Sequence, residues 1–141
     1  MRTSITVVDT GVLVALADAD DADHSRCSAW LRNCRSKLVV PTTIVGEICY
    51  ILGTHCGAEV EASFLESLAT DDTFTIEALT STDYLRAAAL VRKYADFPLG
   101  GSDAAVIAIA ERFAAVEVAT LDHRHFTVVK PKHVDSFTLV P

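Results

Sequence analysis

Short apolar runs alternate along this chain with longer stretches whose apolar residues recur at helical spacing. Ile5-Thr6-Val7-Val8 is a β-branched run and predicts a buried first strand. Residues 11–17 are apolar enough for a short helix. The run Asp18-Ala19-Asp20-Asp21-Ala22-Asp23 then reads as a solvated loop that supplies an N-cap to a helix over residues 24–35. Lys37-Leu38-Val39-Val40 predicts a second strand. A helix with Pro41 in its first turn follows to about residue 55, Gly57 interrupts, and a further helix covers residues 58–69. Phe74-Thr75-Ile76 is a third strand and residues 81–94 a helix. Phe97-Pro98-Leu99-Gly100-Gly101 is a loop, after which Ser102 is expected to cap a helix to about residue 115. Val116-Glu117-Val118-Ala119-Thr120-Leu121 is a fourth strand, and Phe137-Thr138-Leu139 a short fifth.

Strand–helix alternation with near-continuous apolar strands predicts an α/β fold: three layers, with a mostly parallel central sheet of four to five strands flanked by helices. No linker, repeat or low-complexity tract divides the 141 residues, so one domain over 1–141 is expected. Ligands in such folds gather beyond the carboxyl ends of the strands, which makes acids placed there the residues to weigh.

Composition narrows the field. Half the chain is hydrophobic and 22% is charged, which excludes disorder. No apolar run approaches the roughly 20 residues that span a bilayer. The start of the chain lacks the long apolar stretch of a secretory signal, so a cytoplasmic location is expected. A formal charge of −7 argues against coating nucleic acid by bulk electrostatics, though not against handling phosphate through a bound cation. Cys27, Cys34, Cys49 and Cys56 lack structural-zinc spacing and are expected to be reduced and to pack as small hydrophobes.

Four carboxylates stand out against this background. Asp9 directly follows the first strand, where burial would cost it solvation; a helix cap is the bland alternative. Glu47 falls in a nearly uncharged helix beside the face marked by Ile44, Ile48, Ile51 and Leu52. Gly46 next to it suggests a close backbone approach, whereas a Glu reaching solvent from the rim is the alternative. Asp103 opens a helix that is apolar on all sides, and the helix dipole alone would favour an acid there. Asp122 ends the fourth strand, repeating the placement of Asp9, and could equally be a turn residue. The expected fold brings all four toward one edge of the sheet. Two unit charges about 4 Å apart repel by roughly 4 kcal/mol at an effective dielectric near 20, so such a cluster must take up protons or bind a cation. Oxygen donors alone select a hard ion, Mg²⁺ or Mn²⁺, and that combination suits phosphodiester hydrolysis.

The segments Val7-Val8-Asp9-Thr10-Gly11-Val12-Leu13, Glu47 in its apolar helix, Gly101-Ser102-Asp103-Ala104-Ala105-Val106-Ile107-Ala108 and Thr120-Leu121-Asp122 resemble the four acidic motifs of PIN domains. At this size the chain is similar to the VapC-type toxins of type II toxin–antitoxin systems. Each motif is short, but four in the right order cover nearly the whole chain. The resemblance implies a Mg²⁺- or Mn²⁺-dependent endoribonuclease, a homodimer and inhibition by a VapB-type antitoxin. It also implies Asp9, Glu47, Asp103 and Asp122 as the catalytic metal site, with Thr10 adding a hydroxyl. One departure stands beside it: His125 occupies the place before Phe126 where many relatives carry another acid, which bears on whether one ion or two are held.

Residues 112–133 carry four basic side chains (Arg112, Arg124, Lys130 and Lys132) against Glu117 and Asp122. They could hold RNA phosphates, Arg124 first because it is two residues from Asp122, though a solvated surface is the alternative for each. His123 and His125 are candidate proton donors, and Trp30, Phe97 and Phe126 are expected in the core. Two other functions compete. An acidic-pocket phosphatase of the dehalogenase type expects a second Asp where Gly11 stands, and a receiver-like domain expects a Lys for which Lys130 is poorly placed. A non-catalytic PIN-like protein-binding domain would keep the motifs without turnover.

Overall fold

The computed structural model describes residues 4–141; residues 1–3, part of the start examined for a secretory signal, lie outside the described residues. Five strands form the sheet: β1 (Ile5–Val8), β2 (Lys37–Pro41), β3 (Phe74–Glu77), β4 (Glu117–Ala119) and β5 (Thr138–Val140). All neighbours are parallel, in the order β3-β2-β1-β4-β5. Seven helices connect them among the described residues: α1 (Thr10–Ala17), α2 (His24–Asn33), α3 (Thr42–His55), α4 (Ala58–Thr70), α5 (Ser81–Lys93), α6 (Gly101–Arg112) and α7 (His123–Val128). Helices α1 to α4 pack against one another, while α5 packs on α6 and α6 on β1 and β2. Right-handed crossovers place these groups on opposite faces, because β1 to β3 progress one way across the sheet and the chain then returns to β4 on the other side of β1.

The central strands are buried on both faces, and Val7, Val8, Val39, Val40, Val118 and Ala119 are wholly inaccessible. Helix α6 is buried from Ala104 through Ala110, as its uninterrupted apolar sequence predicts, and its alanines let it lie close on the sheet. None of the helices among the described residues is long and apolar enough to cross a membrane. All four cysteines are free, Cys27 in the core.

Several boundaries differ from the sequence-based expectation. Pro41 ends β2 and is the N-cap of α3 rather than part of its first turn. Gly100, not Ser102, caps α6, which stops at Arg112 before Ala114 turns to a φ of 52°. Gly46 approaches nothing: a Cβ built there meets no atom within 4 Å, so close packing does not account for it. Helix α7 was not foreseen, because six residues carry no periodic signal. It forms where the Asp122 side chain accepts the His125 backbone N–H at 3.2 Å.

Candidate metal centre

Strand progression reverses between β1 and β4, and a cleft opens beyond their carboxyl ends. Its volume is about 570 Å³, and Asp9, Thr10, Glu47, Asp103 and Asp122 all line it. Asp9 follows β1, Glu47 projects from α3 after β2, Asp103 lies in the first turn of α6, and Asp122 precedes α7. The four carboxylates singled out in the sequence are therefore brought together.

Their environments differ. Asp9 is buried, only 6% exposed, and although it occupies the N-cap position of α1 its side chain makes no capping bond. It accepts instead from the Thr120 hydroxyl at 2.9 Å, and that same oxygen accepts the Asp122 backbone N–H at 2.9 Å. Thr120 thus ties two of the acids together. Burial is the main force raising the Asp9 carboxyl above its usual range; bonds from the Thr10 N–H and Thr120 oppose it, and Asp122 and Glu47 add repulsion. Asp103 is pushed up to about 6, first by burial and then by the charge of Asp9, with His125 opposing and Asp122 and Glu47 adding. Asp122 moves the other way: burial works against it, but hydrogen bonds from the His125 ring and backbone hold it below the ordinary carboxylate range. Glu47 is exposed on the rim, so the solvent-reaching alternative describes its position, yet its charge still reaches Asp9 and Asp103.

One neighbour faces two of these carboxylates. The His125 Nδ1 is hydrogen-bonded to Asp122 Oδ2 and lies 3.7 Å from Asp103 Oδ2. One donor atom from each of Asp103, Asp122 and His125 falls within 4.8 Å of the others. Phe97 and the His125 ring form a T-shaped pair with centroids 5.2 Å apart, and the Arg124 guanidinium lies 5.1 Å from the Phe97 ring centre. Phe97 is therefore not a core residue, unlike Phe126, which is fully buried.

The residues present suit a hard divalent ion. Four carboxylates line the cleft, and the buried Thr10 hydroxyl beside them has no hydrogen-bond partner among the described residues. A buried hydroxyl normally finds a partner, and an oxygen-seeking ion or its water would provide one.

The basic segment does not line the cleft as a block. Arg112 lies at the far end of α6, about 13 Å along the axis from Asp103, and is committed to Asp83 and Glu77. His133 is likewise remote from His125, donating from Nε2 to the Ala115 carbonyl ahead of β4. Arg124 is exposed and forms no ion pair among the described residues. Thr120 and Phe97 are the residues whose place in the site the sequence did not reveal. For Thr120 the available signal was a hydroxyl two residues before Asp122 at the end of an apolar strand.

Residues 6–130 match the PIN domain family. The chain is 32% identical over 135 residues to Ribonuclease VapC26 of Mycobacterium tuberculosis, an alignment covering 96% of this chain and 99% of that protein. Its fold is similar to the crystal structure of Mycobacterium tuberculosis VapC20, a Sarcin-Ricin loop cleaving toxin, with a TM-score of 0.75 and 18% identity over 82% of this chain and 87% of that one. It is also similar to a toxin–antitoxin complex from Klebsiella pneumoniae, with a TM-score of 0.68 and 18% identity over 88% of this chain and 92% of that one.

Proposed function

This chain belongs to the PIN-domain family, and on that premise we propose that it is a divalent-metal-dependent endoribonuclease acting as the toxin of a toxin–antitoxin pair. The observation that carries the proposal is the convergence of Asp9, Glu47, Asp103 and Asp122 on one cleft at the carboxyl ends of β1 and β4. Similarity over nearly the full length to a ribonuclease supports RNA as substrate. We assign Asp9, Glu47, Asp103 and Asp122 as ligands of Mg²⁺ or Mn²⁺, with Thr10 contributing its hydroxyl and the whole chain, 1–141, working as one domain. When bound, the ion would acidify an attacking water and stabilise charge on the phosphate.

The protein's own contribution is placement. Thr120 fixes the Asp9 carboxylate, and the His125 backbone N–H orients Asp122. The dipole at the start of α6 favours the negative charge of Asp103. Arg124 stands exposed two residues beyond Asp122 and is the side chain we assign to an RNA phosphate. A VapB-type antitoxin is the proposed inhibitor, consistent with the fold shared with a chain of a toxin–antitoxin complex, and a homodimer is the proposed assembly.

The direct test compares RNA cleavage by the wild type, Asp9→Asn and Asp103→Asn, with and without chelator. Loss of at least about a hundredfold in either variant is expected, since even outer-shell partners of metal sites are worth about 10–100-fold. Cleavage that survives both substitutions would exclude this site, and turnover of small phosphate esters with none of RNA would favour the phosphatase alternative.

A further inference from the structure

The side chain that departs from the acidic pattern, His125, is also the one whose ring nitrogen faces two of the carboxylates. Its Nδ1 bonds Asp122 and stands 3.7 Å from Asp103, and the three donor atoms are close enough to share one ion. Its ring is held from two sides: the backbone is fixed in the first turn of α7 by the Asp122 cap, and Phe97 packs against the ring in a T-shaped pair. A donor held this way loses little freedom on binding a ligand. The cleft that Asp103 and Asp122 line also contains the buried Thr10 hydroxyl, unpartnered among the described residues, an independent sign that a ligand belongs there.

We propose that His125 is a nitrogen ligand of the cation held by Asp103 and Asp122, its Nδ1 giving up to solvent the proton it shares with Asp122 as the ion binds, so that this site favours Mn²⁺ over Mg²⁺. The inference rests on the metal-centre reading above and makes it more specific. Magnesium is a hard ion that takes oxygen donors and surrenders water reluctantly, whereas imidazole nitrogen is a good ligand for first-row transition ions. Exchanging a carboxylate oxygen for an imidazole nitrogen removes a negative charge that serves both ions and adds a donor that serves Mn²⁺ better. Selectivity therefore moves toward Mn²⁺.

The probes are Mn²⁺ and Mg²⁺ alone, added to the full-length protein stripped of metal. Pulsed electron paramagnetic resonance of the Mn²⁺-loaded wild type should record coupling to a directly bound nitrogen, altered by ¹⁵N-histidine labelling and lost in His125→Gln. Calorimetric titration should find the Mn²⁺-to-Mg²⁺ affinity ratio falling by about tenfold or more in His125→Asp, a scale on which metal sites respond even to loss of an outer-shell group. Mn²⁺ that binds the wild type without nitrogen coupling overturns this inference and leaves the carboxylate site standing. The same holds for a ratio unchanged in a folded His125→Asp. Absence of Mn²⁺ binding in the wild type overturns both this inference and the metal-centre reading. Absence of nitrogen coupling in the wild type overturns the assignment even if either variant fails to fold.

Discussion

The two ends of α6 solve the same electrostatic problem in opposite ways. At its last turn Glu111, half-buried, accepts two hydrogen bonds from Arg86, at 2.7 and 3.0 Å, and one from the Lys132 backbone N–H. Arg112 beside it reaches Asp83 at 2.9 Å and Glu77 at 3.2 Å, and Asp83 in turn closes a capping box with Thr80 at the start of α5. Every acid there has a guanidinium, and although burial acts to raise it, Glu111 is held below its usual range by Arg86 and Lys132. At the first turn of the same helix Asp103 faces Asp9, Asp122 and Glu47 with only His125 opposing them, and it is pushed up to about 6. Acids whose cation is built into the fold stabilise it, whereas acids left without one are a cost that a ligand can recover.

The largest test of this contrast is Arg112→Ala. It strands Asp83, which is buried, and should cost about 3 kcal/mol in urea unfolding, the lower end for a broken buried pair because Arg112 is itself partly exposed. A neutral result would mean the paired end contributes nothing. Next, Mn²⁺ at a hundred times its dissociation constant should stabilise the wild type by about 2.7 kcal/mol. The same addition should leave the melting temperature of Asp103→Asn nearly unmoved.

Third, the pH dependence should differ between the two ends. Asp103 binds its proton more tightly folded than unfolded, so its contribution is fully present below about pH 4 and is lost as pH rises through about 6. In metal-free protein, Asp103→Asn should therefore gain about 2 kcal/mol on the wild type between pH 4 and pH 7. Glu111, lowered on folding, works in the opposite sense: its contribution is present at neutral pH and is lost as pH falls through its folded value. A constant difference between wild type and Asp103→Asn across that range would contradict the strained end. The smallest effect is expected for Thr120→Val, which removes the hydroxyl holding Asp9. It should weaken Mn²⁺ binding by about 1 kcal/mol, the usual worth of one hydrogen bond, read by calorimetry.

Much of this was legible in the chain itself. The β-branched run of β1 and the unbroken apolar helix after Asp103 mark buried elements, as a parallel sheet covered by helices on both faces requires. Asp9 and Asp122 were conspicuous because each interrupts or ends an apolar segment. The Arg86–Glu111 and Arg112–Asp83 pairs left no comparable trace, since their partners are 25 and 29 residues apart and each looks like an ordinary surface charge on an amphipathic helix. Counting Arg112 among the basic residues near Asp122 failed for that reason: nearness in sequence said nothing about which end of α6 it would reach.

Sequence alone determined which segments must be buried, in what order strands and helices follow, and which carboxylates lack an obvious reason to be where they are. These are properties of local pattern, and desolvation acts on each residue wherever the chain finally goes. Only the tertiary structure decided which acids receive a guanidinium and which face one another across the cleft. It also decided that a Thr120 hydroxyl and a His125 ring complete the cluster. Those choices depend on distances of a few ångströms between residues far apart in the chain, where Coulomb and hydrogen-bond energies change steeply and sequence spacing carries no information.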